Sequence, residues 1–219
     1  MAVSIYIWVV TLKDGVMKTI RTFIFCIFLI PFQGMAQPID NLEFISPFKD
    51  GVAAVKSNDT WGFINEKGQL IIDFRSDLVL TTFEDGTYPA FIDERCLIKI
   101  KKDGISYFGF IDKTGKVIVE PKYLNATNFD NGLAIVLELI KVEVGENVAL
   151  GKKVVYDKYL EAIINVDGEI VQYVSPNRVS VILDKDYLKS PPSIKSKRIS
   201  EYLYAYFNED RTWTVVAID

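Results

Sequence analysis

The chain has 219 residues, 49% of them apolar and 25% charged, which suffices for one packed domain and excludes wholesale disorder. It contains no histidine. That removes the commonest general base, the usual triad partner and the commonest zinc ligand, leaving carboxylates as the route to catalysis.

The front end predicts a targeting segment. Lys18 and Arg21 form a positive start after Met17, and Phe23 to Phe32 is an apolar run. Gly34-Met35-Ala36 then supplies small residues for a cut before Gln37. The run is too short to span a bilayer, which needs about 20 apolar residues. Residues 1–36 are therefore read as a helical signal region that begins in truth at Met17 and is cleaved after Ala36. The first 16 residues place Asp14 ahead of the positive start and fit this plan poorly. Cys26 lies inside the apolar run rather than after it, which argues against a lipid anchor. The expected product is secreted or periplasmic, with no stable membrane span. Loss of Lys13, Lys18, Arg21 and Asp14 turns 25 basic and 29 acidic residues into 22 and 28, a net charge of −6. Nucleic acid and anionic membrane surfaces would repel such a chain. Cys96 is then the remaining cysteine, and its alternation with apolar neighbours in "ERCLIKI" reads as a buried strand thiol.

Repetition begins after this segment. Trp61-Gly62-Phe63-Ile64-Asn65 and Gly68 have counterparts 47 residues on, in Phe108-Gly109-Phe110-Ile111-Asp112 and Gly115. A further 53 residues on, Ile163-Ile164-Asn165 and Gly168 repeat the spacing, with Glu161 and Ala162 in the aromatic and glycine places. A second element reads "FKDGVAAV" (48–55), "FEDGTYPA" (83–90) and "FDNGLAIV" (129–136). Near the end, Ala205 precedes Trp213 by the eight residues that separate Ala53 from Trp61, so the tail reads as a worn half-unit with Thr214 in the place of Gly62.

Each copy predicts a hairpin, an Asx-started turn closing on Gly, and a third strand with alternating apolar residues. Such a unit cannot bury its apolar face alone, so units must stack. The expectation is an all-β array of three-stranded units over 37–174, followed by a β segment at 175–219 that holds the degenerate repeat. Copies two and three lengthen the hairpin ahead of their aromatic–Gly strand, predicting arms at 91–107 and 137–160. "KSPPSIKSKRIS" (189–200) reads as a surface loop.

The pattern F-x-x-G-x-A-x-V followed by W-G-F-I-N/D-x-x-G-x-V-I resembles the WG repeat family of bacterial proteins. The resemblance implies a β-hairpin array that serves as a non-catalytic interaction module, often exported, with no general activity attached. The signature positions are Trp61, Gly62, Phe63, Gly68, Phe108, Gly109, Phe110, Gly115, Gly168 and Trp213.

Individual positions admit other readings. Trp61 and Phe108 are read as core aromatics over the adjacent glycine rather than as sugar platforms. Glu66, Asp112 and Asp167 are read as solvated turn residues rather than calcium ligands, since no D-x-D-x-D-G loop is present. Asp73 and Glu120 end matching strands and form the one conceivable carboxylate pair. Asn58 and Asn125 match the glycosylation acceptor pattern, an accidental match in a bacterial-looking chain. No catalytic residue, cofactor or metal is expected. The partner expected is an unknown protein or glycan, and the rival reading is a carbohydrate-binding or carboxylate-dependent glycan-active protein.

Overall fold

The computed structural model describes residues 39–147 and 151–218. The predicted signal region lies outside the described residues. Those residues form strands, turns and loops, with no helix among them.

Unit one is a meander of β1 (Phe44–Ile45), β2 (Val52–Ser57), β3 (Thr60–Asn65) and β4 (Leu70–Arg75). Asn58 and Asp59 close β2 to β3 with two positive φ angles, 47° and 59°, the two-residue turn that matches strand twist. In the next turn Asn65 Oδ1 accepts the Lys67 and Gln69 N–H groups, both at 3.0 Å, and Gly68 takes φ 71°. The same turn recurs around Asp112 and Asn165, and again around Asn208, where Arg211 stands at φ 66°.

Unit two comprises β7 (Phe91–Ile92), β8 (Arg95–Lys102), β9 (Ile105–Ile111) and β10 (Val117–Tyr123). Unit three comprises β11 (Leu133–Asn147), β12 (Lys152–Asn165) and β13 (Ile170–Tyr173), with β14 (Val179–Ser180) along the β12 arm. Unit four comprises β15 (Lys197–Arg198), β16 (Leu203–Phe207) and β17 (Trp213–Ala217). Register aligns them: Val55 faces Gly62, Ile98 faces Gly109, Val136 faces Ala162, and Lys197 faces Ala205.

This alignment corrects two sequence expectations. The counterpart of "FKDGVAAV" in unit two is "FIDERCLI" (91–98), not "FEDGTYPA". Residues 83–90 belong instead to an inserted hairpin of β5 (Thr81–Phe83) and β6 (Gly86–Tyr88), whose Tyr88 packs into the first core. In the tail, Trp213 pairs with Phe207 as Leu70 pairs with Ile64. Trp213 therefore lies in a third strand, and Tyr204 and Ala205 hold the places of Trp61 and Gly62. The sequence pairing failed there because the shared eight-residue spacing aligned two different turns.

Alternate strand faces feed successive cores. Ala54, Trp61, Phe63 and Ile72 of unit one meet Cys96, Ile98 and Ile111 of unit two. Leu97, Phe108 and Phe110 on the other face of unit two meet Ala134, Val136, Ala162 and Ile164 of unit three. Ile135 and Ile163 then meet Tyr204 and Ile218. Each large apolar side chain so buried contributes about 1.5–3 kcal/mol relative to exposure. Unit four is turned over: it meets its neighbour with Tyr204, in the Trp61 place, where units two and three use the opposite face.

Candidate functional site

Apart from Trp213, which is 49% exposed, the signature residues are spent on the fold. Trp61 is 9% exposed and meets Phe44 edge-to-face at 5.6 Å, and Phe108 is 6% exposed. A β-carbon on Gly62 would come 2.8 Å from the Ile72 carbonyl oxygen, and one on Gly109 would lie 2.7 Å from the Pro121 nitrogen. Glycine is needed at both places because the third strand's backbone folds directly over them.

Of the turn carboxylates, Asp112 and Asp167 are engaged and, among the described residues, Glu66 is not. Burial alone would push the Asp112 carboxyl up. The Thr114 hydroxyl and the Thr114 and Lys116 N–H groups, at 2.6, 2.8 and 3.1 Å, outweigh it and hold Asp112 below the usual range. Asp167 lies 3.7 Å from Arg95 Nη2, and Glu66 is exposed. Asp73 and Glu120 are exposed on the third strands of separate units. Among the described residues no group of three or more His, Cys, Asp or Glu side chains comes together as a metal site. Cys96 is fully buried, and burial pushes its thiol well above the ordinary value. Asn125 donates to the Pro192 carbonyl at 2.8 Å and accepts from the Ala126 N–H, so its side chain is occupied.

Sequence reasoning missed a set of stitching residues. Asp50 Oδ2 accepts the Glu94 N–H at 2.8 Å, and Asp93 Oδ2 accepts the Gly132 N–H at 2.7 Å. Asp50 and Asp93 occupy equivalent turns, so each carboxylate ties its unit to the next. The signal was present as the recurrent D/N of "FKDG", "FIDE" and "FDNG", and it was obscured by the wrong choice of unit-two element. Glu161 is a second case. It stands in the Trp61 place, is 7% exposed, and accepts the Lys195 and Ser196 N–H groups at 2.8 Å each. The 189–200 stretch is therefore docked, not a free surface loop, and its Lys197 and Arg198 form β15.

Two surfaces among the described residues combine exposed apolar side chains with lysines. One is a groove of about 510 Å³ where the hairpin of β8 and β9 meets the base of the β11 arm. Ile105, Tyr107, Leu139 and Leu183 line it, and Ile100 stands 40% exposed at its edge. Lys102 and Lys122 sit on its rim with Asp103. Among the described residues neither lysine makes an ion pair. Burial raises the Tyr107 hydroxyl's pKa, helped by the negative charges of Asp103 and Asp157, so it stays a hydrogen-bond donor. The other surface is the outer face of unit four, where Leu203, Phe207, Trp213 and Val215 are 37%, 36%, 49% and 55% exposed. Lys197 Nζ lies 4.4 Å from the Trp213 ring centre.

Fold and registers together define an all-β repeat protein whose recurring motif is structural. Residues 41–61, 61–96 and 108–138 match the family described as WG containing repeat, so these stretches carry three WG-containing repeats. The last strands of unit three and all of unit four lie beyond the matched residues. Among solved structures the chain is similar to the crystal structure of the computationally designed Ika4 protein. Identity is 15%, 84% of this chain and 93% of that one are covered, and the TM-score of 0.33 carries no argument. No curated protein matches the sequence. Among the described residues no helix is long and apolar enough to cross a membrane.

Proposed function

We propose that the chain is an exported, non-catalytic repeat module that binds a protein partner through the groove between its two longest hairpins. One observation carries the reading. Trp61, Phe108 and Asp112 are consumed by packing and capping, whereas the groove pairs an apolar floor with two lysines that have no ionic partner among the described residues. Concave apolar sites with a few convergent polar groups are where binding concentrates. The charged leader at Lys18 and Arg21, followed by its apolar run, supports export.

The test compares the wild type with a Lys102→Glu, Lys122→Glu double variant for capture of a partner from envelope extract. Capture lost by a variant with unchanged near-UV circular dichroism supports the reading; undiminished capture moves the binding surface elsewhere. Glycan hydrolysis by the wild type that vanishes in Asp73→Asn or Glu120→Gln would overturn the non-catalytic part.

A second reading rests on Trp213, half exposed beside Phe207 with ring centres 5.0 Å apart, the kind of flat aromatic face on which sugars stack. Titration of soluble cell-wall glycan fragments against the wild type and Trp213→Ala separates this reading from the first.

A further inference from the structure

The outer edge of β11 is paired along only part of its length. Ile135 and Leu137 turn their backbone groups outward: the Ile135 carbonyl accepts from Thr127, and Leu137 exchanges hydrogen bonds with Leu124 and Asn125 at 2.9–3.0 Å. Strand alternation directs the N–H and C=O groups of Leu139, Lys141 and Glu143 to the same edge. Among the described residues no backbone group pairs with them. The ladder stops at Leu124, because the residue before it, Tyr123, already pairs with Phe108 of β9. The groove opens at that point, with Leu139 on one wall and Pro121 and Lys122 on the other. An open strand edge and an unfilled groove thus share one place.

Resting on the groove reading above, we propose that this edge takes up an extended acidic peptide segment by strand addition to β11. Backbone hydrogen bonds to Leu139 and Lys141 supply the pairing, as in other β-augmented complexes. A side chain opposite Leu139 points to the groove face and meets Tyr107 and Leu183, so it must be apolar. Two residues along, the side chain opposite Lys141 lies on that same face. A carboxylate there meets Lys141, with Lys102 and Lys122 on the groove rim nearby. Glu143 does not oppose this, because Lys153 lies 2.9 Å from its carboxylate. The occupant is therefore an extended segment in which apolar and acidic residues alternate with residues facing away. The chain's overall acidity marks the local lysines as a recognition feature rather than a general surface property.

The experiment titrates the folded chain with three short synthetic peptides. One carries leucine and glutamate on its groove-facing positions, the second replaces glutamate by lysine, and the third is the acidic peptide N-methylated at alternate amides. Strand addition predicts binding by the first, and at least about tenfold weaker binding by each of the others. Lys102→Glu with Lys122→Glu should abolish the preference for acid. Equal binding of the N-methylated peptide overturns strand addition, and equal binding of the lysine peptide overturns the charge assignment. If no peptide binds while the double lysine variant still loses its native partner, strand addition falls and the groove reading stands. If no peptide binds and that variant keeps its partner, both fall.

Discussion

Units two and four follow the same three-strand path and differ where the second and third strands meet. Between β9 and β10 the register shifts twice, once between Val117 and Val119 and again between Val119 and Tyr123. The second shift folds the third strand's backbone over Gly109. Between β16 and β17 the ladder runs unbroken from Phe207–Trp213 to Leu203–Ala217, and Ala205 fits where Gly109 stood. Unit one shares the double shift and has Gly62; unit three has a single shift and Ala162. The aromatic–Gly pair is therefore the mark of a doubly bulged third strand, not a requirement of the repeat itself.

The largest effect that would break this comparison is expected from Phe110→Ala. It removes a ring from the core between units two and three and should cost about 3–5 kcal/mol by chemical denaturation. Trp213→Ala, in the exposed outer face of unit four, should stay within about 1 kcal/mol. Similar losses for both would show that unit four's outer face is covered in solution.

Gly109→Ala comes next. Its methyl group would overlap the Val119 carbonyl, a backbone atom that cannot swing aside, and a cost of about 2–3 kcal/mol is expected. Ala205→Gly lacks this conflict and should cost about 1 kcal/mol, mostly in chain entropy. A tolerated Gly109→Ala would sink the double-shift explanation.

Asp93→Ala leaves the Gly132 N–H without its acceptor and should cost about 1–2 kcal/mol. Hydrogen exchange should rise at Gly132 first, because the stitch between units two and three opens there. Unit four is tied instead by Glu161, which accepts the Lys195 and Ser196 N–H groups, so exchange at those two residues should stay unchanged in Asp93→Ala.

The smallest effects are read by pH. Burial, reinforced by the Asp85 hydrogen bond, raises Tyr88 to about 12, and burial also raises Tyr123 to about 12. Both phenols are held neutral in the folded chain, so their contribution is complete below the unfolded value near 10 and is lost as pH rises toward 12. Tyr88→Phe should flatten that alkaline loss. At the acid end, Asp112 is held below its ordinary value. Its contribution is present above the unfolded value near 4 and fades as pH falls through the lower folded value; Asp112→Asn should remove the dependence. Asp210, lowered by the Thr212 hydroxyl and N–H, should give unit four the same acid slope.

Much of the repeat was legible before the structure because its signals are local. Asn65, Asp112 and Asn165 with their glycines three residues on specify the turn through hydrogen bonds that span four residues at most. The long arm at 137–160 was legible from the length inserted ahead of the third copy's second strand. The groove was not, since Tyr107, Lys122, Leu139 and Leu183 come from four separate stretches and meet only after units two and three stack. Nor was the inserted hairpin at 81–88, whose "FEDG" imitates the repeat element it precedes.

What the sequence determined by itself was the unit: strand, Asx turn, strand, and the alternation that makes one face apolar. Those choices rest on backbone geometry and side-chain period, which neighbouring residues set among themselves. Tertiary structure alone decided which face of each unit points forward, that unit four is turned over, and that β11 keeps an open edge beside a lysine-rimmed groove. Those outcomes depend on where the chain after Tyr123 leaves β9 for β11 and on which sheets compete for the same core, and no short window of the sequence contains both partners.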